Sequence, residues 1–417
     1  MLQTGTEPAE KSPLLSIADV REVTKKWLLL KDDLVIDITV ASVVANMLES
    51  DPLWMLLIAP PSSAKTELLR AAAGSSSVYL LSSLTPTTFI SGMKPKDNSN
   101  PGLLFKLNDK ILVVKDFGTI MTLRNEQRSE ILSQLREIYD GTYTKAFGTG
   151  KTITWEGKMG FAAGATPIID QYSSLHQALG ERFLQFRIKG DNPQEVAKKA
   201  KDAAGKETTM RKELKETYGR FIDQFKQMEG KGINITIPPE LEEKIINLAC
   251  FCAQARTGVI RDRYTQAIEV LPEAEGPGRL IKQFTNLGIA LTMINHKDTL
   301  DGDIYRLLRR VGKDTLPALR MKIIHTLWQG GSCQGSDVWL KTKEVANNAR
   351  LPTTTARINL EDLQSIRLAE RDIPDDDGGS DSDKTVPYRW QLSKECCKML
   401  DDTGFMEGEE ALEPVPF

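Results

Sequence analysis

A lysine and a threonine follow an apolar run early in the chain, at a spacing that suits phosphate binding. The run covers residues 54–58. In the motif GxxxxGK[ST], a tight loop of backbone N–H groups surrounds phosphate at a helix N-terminus. The pattern here predicts an ATP site in which Lys65 reaches the outer phosphates and Thr66 binds Mg²⁺. The residues that match the motif, with alanine at both glycine positions, are Ala59, Pro60, Pro61, Ser62, Ser63, Ala64, Lys65 and Thr66.

The two alanines leave a plainer alternative open, an ordinary strand–turn–helix with an exposed lysine. Glycine allows unusual φ values and the close approach of a ligand, and alanine is the smallest replacement for it. We therefore expect the loop to survive at some energetic cost. A second GKT sequence, at 150–152, follows no apolar run and has Lys145 where the first glycine should be. We interpret it as a hairpin tip.

Asp116 follows another apolar run, at residues 111–114, with Lys115 between them. In nucleotide hydrolysis one acid at such a position holds Mg²⁺ through water, and a second polarises the attacking water. Only one acid is present here. Either Asp116 holds Mg²⁺ without a partner, or it activates the water while Lys115 occupies the metal position. A carboxylate that caps the next turn is the structural alternative.

Two more residues suit chemistry at a γ-phosphate. Thr166 follows the run 159–163, and its hydroxyl suits orienting the attacking water and sensing the phosphate. Arg182 comes just before the run 183–188 and suits an arginine finger presented to a neighbouring subunit. The alternative for Arg182 is a surface ion pair.

These residues need a parallel sheet to bring them together. Five short apolar runs predict strands at 54–58, 78–81, 111–114, 159–163 and 183–188. Helical patterns at 66–73 and 124–139 lie between them. Alternating strands and helices predict an α/β fold, with a parallel sheet and helices on both faces. We place this nucleotide-binding domain at 18–190, after a loose arm at 1–17.

The rest of the chain predicts two further units and a tail. Residues 191–312 are helical and charged, which is typical of a separate helical subdomain. Residues 313–400 show three amphipathic helices and then two strands around an acidic loop at 374–384, which is the order of a winged helix. Residues 401–417 read as an acidic tail.

Composition excludes several classes of protein. The 417 residues are 40% apolar and carry a net charge of −3, so any DNA contact must come from local clusters. The five cysteines form no CxxC pair and the three histidines are scattered, which argues against a zinc site or a disulfide framework. We expect reduced thiols in a cytoplasmic protein with no membrane span.

The order of these motifs resembles AAA+ ATPases, and among them the minichromosome-maintenance helicases and related phage or mobile-element replication ATPases. Lys115-Asp116-Phe117 is similar to the family's acid-acid-Phe step, which places Asp116 at the catalytic acid. Gly164-Ala165-Thr166-Pro167 is similar to its first sensor, and Arg182-Phe183 to its arginine-finger step. The resemblance covers roughly residues 35–295. It implies that Arg279 is the second sensor arginine, and that a fold with a helical lid assembles as a hexameric ring with ATP between subunits.

The resemblance also implies a DNA-gripping hairpin at 142–155, directed into the central pore. Lysine supplies charge to phosphate and an aromatic ring can stack on a base, so Lys145, Phe147 and Lys151 are the candidate contacts to single-stranded or forked DNA. In the winged helix, the predicted recognition helix begins with small hydroxyl residues and an arginine, which suit a major groove. Those candidates are Thr353, Thr354, Thr355 and Arg357. Thr353 as a helix N-cap is the alternative.

Three hypotheses follow for the function. The first is an ATP-dependent motor of DNA replication. The second is a nucleotide-binding switch or loader with little turnover, which recruits a replication protein through the winged helix; the alanines and Lys115 favour it. The third is an ATP-responsive transcription regulator.

Overall fold

A computed structural model of the whole chain describes residues 14–61, 63–91, 102–172, 182–190, 192–228, 234–262, 264–333, 338–372 and 388–408. Ser62, the acidic loop expected at 374–384 and most of the expected N-terminal arm lie outside these residues. Within the described part of the chain, no helix has both the length and the apolar character needed to cross a membrane.

Five parallel strands form the central sheet. Its order is β2-β3-β6-β1-β7, and every neighbouring pair is parallel. Every residue of β1 is buried, which explains why its sequence is a continuous apolar run. The five predicted strands are thus confirmed. They are β1 (Trp54–Ile58), β2 (Val78–Leu81), β3 (Lys110–Val114), β6 (Met159–Ala165) and β7 (Phe183–Arg187).

The remaining two strands of this region, β4 (Thr142–Ala146) and β5 (Thr152–Glu156), form a separate antiparallel hairpin. The GKT sequence at 150–152 therefore lies at its tip and the start of β5, as predicted.

Helices cover both faces of the sheet, as predicted. Alternate side chains of β1 enter two different cores, because successive residues of a strand point to opposite faces. One core joins Leu57 to α3 (Lys65–Ala72), α1 (Ile17–Trp27) and α2 (Leu34–Val44). The other joins Trp54 to α5 (Asn125–Tyr139), which follows the short α4 (Gly118–Met121). Ser16 caps α1, so ordered structure begins within the stretch expected to be loose.

The helical region after residue 190 shares the first core with the sheet. Its helix α7 (Glu207–Asp223) packs closely against α3. A Cβ built at Gly219 of α7 would lie 2.5 Å from the carbonyl oxygen of Gly74, just after α3. Helix α9 (Gly278–Ile294) packs on α2, and helix α10 (Gly302–Thr315) packs on β7. Helices α7, α9 and α10 therefore pack directly on the predicted nucleotide-binding region. The helices of this region are α6 (Pro193–Ala203), α7 (Glu207–Asp223), α8 (Pro239–Ala255), α9 (Gly278–Ile294) and α10 (Gly302–Thr315).

The C-terminal region contains four helices and a three-stranded antiparallel sheet of order β8-β10-β9. The predicted helices and the two predicted strands are present. The two-residue β8 and the helix α14 were not predicted. The elements are α11 (Ala318–Gln329), β8 (Leu340–Lys341), α12 (Thr342–Asn348), α13 (Thr353–Ser365), β9 (Ala369–Asp372), β10 (Arg389–Leu392) and α14 (Lys394–Asp402).

Two expectations for this region need correction. A disulfide joins Cys333, after α11, to Cys397 on α14, so the prediction of reduced thiols does not hold for this pair. The expected acidic tail is packed up to the end of the described residues: Phe405 is buried, and Tyr305 donates a 2.8 Å hydrogen bond to the carbonyl oxygen of Thr403. Arg309 forms a 2.7 Å ion pair with Glu407. Apolar side chains between the acids make this segment part of the core.

Candidate nucleotide-binding site

The predicted phosphate loop lies at the carboxyl end of β1, between the strand and α3. The N-cap of α3 is Ala64, which has no side-chain acceptor, so no side chain caps the first helical turn. A helix N-terminus of this kind suits an anion. The hydroxyl oxygen of Ser63 is buried and has no hydrogen-bond partner among the described residues. A buried polar atom of this kind fits a ligand oxygen, because such groups are otherwise paired.

Lys65 is buried, in contrast to the exposed lysine of the plainer alternative. Its ammonium group donates hydrogen bonds to the carbonyl oxygens of Ala59 and Pro60, at 3.1 and 3.0 Å. Burial lowers the pKa of Lys65, and the nearby carboxylate of Asp116 opposes that shift. Lys65 is therefore a cation held inside the loop on neutral acceptors, which a phosphate can replace with a stronger, charge-assisted partner.

Asp116 is exposed, just beyond the carboxyl end of β3. Its Oδ1 accepts a 2.9 Å hydrogen bond from the backbone N–H of Gly118, so it caps the turn into α4, as the structural alternative supposed. The contact occupies one oxygen and leaves the carboxylate within electrostatic reach of Lys65. The Lys115 ammonium donates to Ser82 at 3.2 Å. Lys115 therefore bonds to the residue after β2, the neighbouring edge strand.

Thr166 follows β6, which lies between β1 and β3, and it is half-buried beside the same edge of the sheet. The close approach of the strands depends on Gly164: a Cβ there would lie 2.7 Å from the carbonyl oxygen of Lys115 and 3.5 Å from Cδ of Lys65. The structure thus places Lys65, Thr66, Asp116 and Thr166 at one edge of the sheet, as predicted from their order. Among the described residues there is no cluster of three or more metal-binding side chains. Thr66 and Asp116 remain the oxygen ligands that suit Mg²⁺.

An ion-pair network beside this site was missed by sequence reasoning. Arg187, at the carboxyl end of β7, forms two hydrogen bonds to Asp170, at 2.7 and 2.8 Å, in the 3₁₀ turn after Thr166. Its backbone N–H and its Nε both donate to Asp314 of α10. Burial raises the pKa of Asp314, while Arg310 and Arg187 oppose that rise. The only sequence signal for this network was an arginine at the end of a predicted strand. Through Arg187, the network connects the turn after Thr166 to helix α10.

Arg182 and Arg279 lie at the opposite edge of the sheet. Arg182 precedes the amino end of β7 and forms a 2.7 Å ion pair with Asp140, while Arg279 begins α9 and pairs with Glu275 at 3.4 Å. Both guanidinium groups face the ring of Tyr139, at 5.5 and 5.8 Å from its centroid.

Two arginines this close repel each other. Burial lowers the pKa of Arg279, and the neighbouring Arg182 lowers it further. Each arginine is also paired with an acid, Arg182 with Asp140 and Arg279 with Glu275. A pKa perturbed by burial and a like charge is typical of a functional site. Neither arginine is near the phosphate loop of its own chain. The alternative expected for Arg182 was a surface ion pair. The ion pair with Asp140 is present, but the side chain of Arg182 is buried rather than on the surface.

The hairpin candidates divide into two groups. Lys145 forms an ion pair with Glu130 at 3.2 Å, and its ammonium lies 5.9 Å from the ring centre of Phe147. Phe147 is partly buried against the second core. Lys151 lies at the end of the tip, where its carbonyl oxygen accepts a 2.9 Å hydrogen bond from Phe147 N–H. Among the described residues, the Lys145 ammonium contacts its own chain, whereas no side-chain hydrogen bond or ion pair is described for Lys151.

In the C-terminal region, α13 begins at Thr353, with Pro352 in the cap position, so the suggestion that Thr353 is the N-cap is wrong. Thr353, Thr354 and Arg357 are exposed, and Thr355 is half-buried. The last part of α13 is covered by a loop: Arg261 forms a 2.7 Å ion pair with Asp362.

No model of a known protein family matches the sequence, and no curated protein matches it either. The functional assignment therefore depends on the arrangement of the site residues.

Proposed function

We propose that this chain is an AAA+ ATPase that acts on DNA as a motor and assembles as a ring, with each ATP bound between two copies. One observation carries the proposal: the candidate catalytic residues are divided between two opposite edges of one sheet. Lys65, Thr66, Asp116 and Thr166 lie at the carboxyl edge, while Arg182 lies at the amino edge beside Arg279. A head-to-tail ring brings the first set of one copy to the second set of the next.

Each residue has a distinct role at the shared site. The ammonium of Lys65 leaves its two carbonyl acceptors for the outer phosphates, and the N–H groups at the start of α3 bind the phosphates behind it. Thr66 and Asp116 would hold Mg²⁺, which would supply charge neutralisation of the phosphates when bound. Thr166 orients the attacking water. Arg182 and Arg279 of the adjacent copy neutralise charge that develops on the γ-phosphate.

Two other regions support a role on DNA. The hairpin of β4 and β5 presents Lys151 near its tip for a strand backbone. The C-terminal region, with α12 and α13 followed by β9 and β10, supports a winged helix, and the helices α8 to α10 support an AAA+ lid. The exposed side chains of Thr354 and Arg357 suit contact with a duplex.

Complementation between two inactive variants tests this proposal. Lys65→Ala and Arg182→Ala damage different edges, so each variant alone should lose DNA-stimulated ATP hydrolysis. In an equal mixture, roughly a quarter of the interfaces join an intact Lys65 to an intact Arg182, so partial activity should return. Double Lys65→Ala/Arg182→Ala protein mixed with wild type is the matched control. A mixture with no activity, from variants that still bind each other, would refute the shared site.

A second function is favoured by the surroundings of Asp116. Its carboxylate caps Gly118, and Lys115 stands where the family has an acid. Both features suit a nucleotide-binding switch or loader with little turnover. Equilibrium binding of a fluorescent ATP analogue and ATP turnover are measured in wild type and in Lys65→Ala. The switch or loader function is favoured over the motor if wild type binds the analogue and Lys65→Ala does not, while wild type turns over ATP no faster than Lys65→Ala.

A further inference from the structure

A cleft of about 570 Å³ lies between the helical region that follows residue 190 and the C-terminal region. One of its walls is the stretch 265–268, between α8 and α9. The other wall is a face of α13, where Arg357, Glu361 and Gln364 recur at the spacing of a helical turn. Arg371 of β9 also lines the cleft. Both regions of the chain therefore contribute side chains to one concave surface.

Arg261 joins the two walls, and its side chain is only 11% exposed. Its Nε donates a 2.8 Å hydrogen bond to Asp362, and a terminal nitrogen donates to the carbonyl oxygen of Ile358 at 3.2 Å, both on α13. The other terminal nitrogen donates to Glu361 at 3.3 Å and, on the opposite wall, to the carbonyl oxygen of Gln266 at 2.6 Å. Arg261 therefore holds the walls together and neutralises two acids of α13.

The cleft is positively charged. The ionisable residues that line it are three arginines and one acid, Glu361. When Asp362, the other partner of Arg261, is counted as well, positive charges still exceed negative ones. The side chain of Arg357 is 53% exposed and lies 3.9 Å from Glu361. An exposed pair at this distance contributes little, so a phosphate can replace Glu361 as the partner of Arg357.

Arg371 is oriented by an aromatic ring. Its guanidinium group lies 4.7 Å from the ring centre of Tyr388, just before β10. An aromatic face attracts a guanidinium group and leaves its N–H groups for a planar array of acceptors such as phosphate oxygens. Arg357 and Arg371 thus bring two guanidinium groups to one cleft, which fits a phosphate-bearing ligand.

The position of the cleft on α13 favours DNA as that ligand. Thr353 and Thr354 are exposed one helical turn before Arg357, so a duplex that contacts them reaches the cleft next. The loop 374–384, between β9 and β10, contains five aspartates, which disfavour a phosphate contact there. Tyr264, directly before the stretch 265–268, is 88% exposed, and a tyrosine hydroxyl is a common donor to sugar and phosphate oxygens.

We infer that this cleft binds the sugar–phosphate backbone of duplex DNA, with the helical region on one side of the strand and the C-terminal region on the other. Arg357 and Arg371 contact phosphate from the C-terminal wall, and Tyr264 contacts the backbone from the other. The inference rests on the proposed function, because that function places a duplex at the start of α13. It goes further by assigning a DNA contact to the helical region.

The test changes charge at one exposed position of the cleft in the full chain. Ala267 is exposed and lines the cleft, so Ala267→Lys and Ala267→Glu place opposite charges beside the expected phosphates. Leu271 is 85% exposed and four residues further along, but it does not line the cleft. Leu271→Lys and Leu271→Glu are therefore the matched controls. Fluorescence anisotropy with a labelled duplex, over a range of salt concentrations, measures binding.

Ala267→Lys should strengthen duplex binding and steepen the slope of log K against log salt by about 0.9, the value for one added phosphate contact. Ala267→Glu should weaken binding by about tenfold, because like charges then face each other. Arg371→Ala should reduce the slope by about 0.9. Tyr388→Leu should lose part of the Arg371 contact, and Tyr388→Phe, which keeps the ring, should restore it. Both Leu271 variants should bind as wild type does.

Two results would overturn the inference. One is duplex binding by both Ala267 variants that matches wild type. The other is an equal response at Ala267 and Leu271, which would show a general effect of charge rather than a contact in the cleft.

The same assay separates the cleft from the proposed function. A wild-type protein that binds no duplex overturns both the cleft and the proposed role on DNA. Duplex binding by wild type that is insensitive to charge at Ala267 overturns the cleft alone. Charge-sensitive binding at Ala267 in a protein that does not hydrolyse ATP supports the cleft and overturns the motor.

Discussion

Gly164 is the position where a single methyl group should damage the candidate site. A Cβ there would lie 2.7 Å from the carbonyl oxygen of Lys115 and 3.3 Å from Cδ1 of Leu69. The first contact is with backbone, which cannot rotate away as a side chain can. The carbonyl of Gly164 also accepts a 2.7 Å hydrogen bond from Phe117 N–H, one residue after Asp116. Before Asp116, Val114 of β3 pairs with Ala163 of β6, so the ends of these two strands are held together on both sides of Asp116.

The expected magnitude follows from these distances. Relief of the clash requires β6 and the end of β3 to separate by about half an ångström, which is typical of overpacking that costs about 1–3 kcal/mol. The separation moves Asp116 relative to Lys65, whose Cδ would itself lie 3.5 Å from the new Cβ. We expect Gly164→Ala to lower ATP affinity by about tenfold, which corresponds to about 1.4 kcal/mol.

Urea unfolding and equilibrium binding of a fluorescent ATP analogue measure the two effects. Gly148→Ala is the matched control, because it lies at the hairpin tip and a Cβ there meets nothing within 4 Å. This control should leave stability and ATP affinity unchanged. A Gly164→Ala protein that is as stable as wild type would refute the steric reasoning. Lower stability with unchanged ATP affinity would refute the placement of Gly164 beside the nucleotide.

Three further predictions concern other parts of the chain. Arg182→Ala should reduce single-turnover hydrolysis in the assembled protein by roughly 10³-fold, yet leave ATP binding to the separate subunit unchanged; a parallel loss of binding would place Arg182 in its own copy's site. Lys151→Ala should weaken single-stranded DNA binding measured by fluorescence anisotropy, and reduce the slope of log K against log salt by about 0.7; an unchanged slope would exclude a phosphate contact. Cys333→Ser/Cys397→Ser should lower the free energy of unfolding by about 4 kcal/mol, because the disulfide joins residues 64 apart. Wild type treated with reductant should then match this double variant, and a difference between them would contradict the role of the bond.

Sequence patterns predicted the central sheet well because its strands are short apolar runs with clear breaks. The same reasoning could not find β8, since two residues carry no periodicity and Lys341 is in a strand only because it pairs with Arg389. It also missed α14. Cys396 was counted as a thiol rather than as an apolar residue, although it is buried in that helix. The N-cap signal was missed as well: the Ser393 side chain accepts a hydrogen bond from the backbone N–H of Cys396.

The candidate site was predictable to the extent that it depends on strand order. Residues after the carboxyl ends of adjacent parallel strands must meet at one edge, which brought Lys65, Asp116 and Thr166 together. The position of Arg279 could not be predicted, because it depends on contacts between distant parts of the chain. Gln283, one turn further along α9, donates a 2.7 Å hydrogen bond to the carbonyl oxygen of Arg182 and so sets Arg279 beside it.

The division of the site between two edges has a kinetic consequence. The strand β1 has five residues, so the two edges are about 15 Å apart at the usual rise per residue. A γ-phosphate held by Lys65 therefore cannot also contact Arg182 of the same copy. The side chain of Arg182 is buried and paired with Asp140, whose own side chain is 51% exposed, so a phosphate of another copy has to displace Asp140 to reach the arginine. If the proposed function holds, ATP binding belongs to the single chain and hydrolysis to the assembly, so the specific rate of hydrolysis should rise with protein concentration while ATP affinity stays constant.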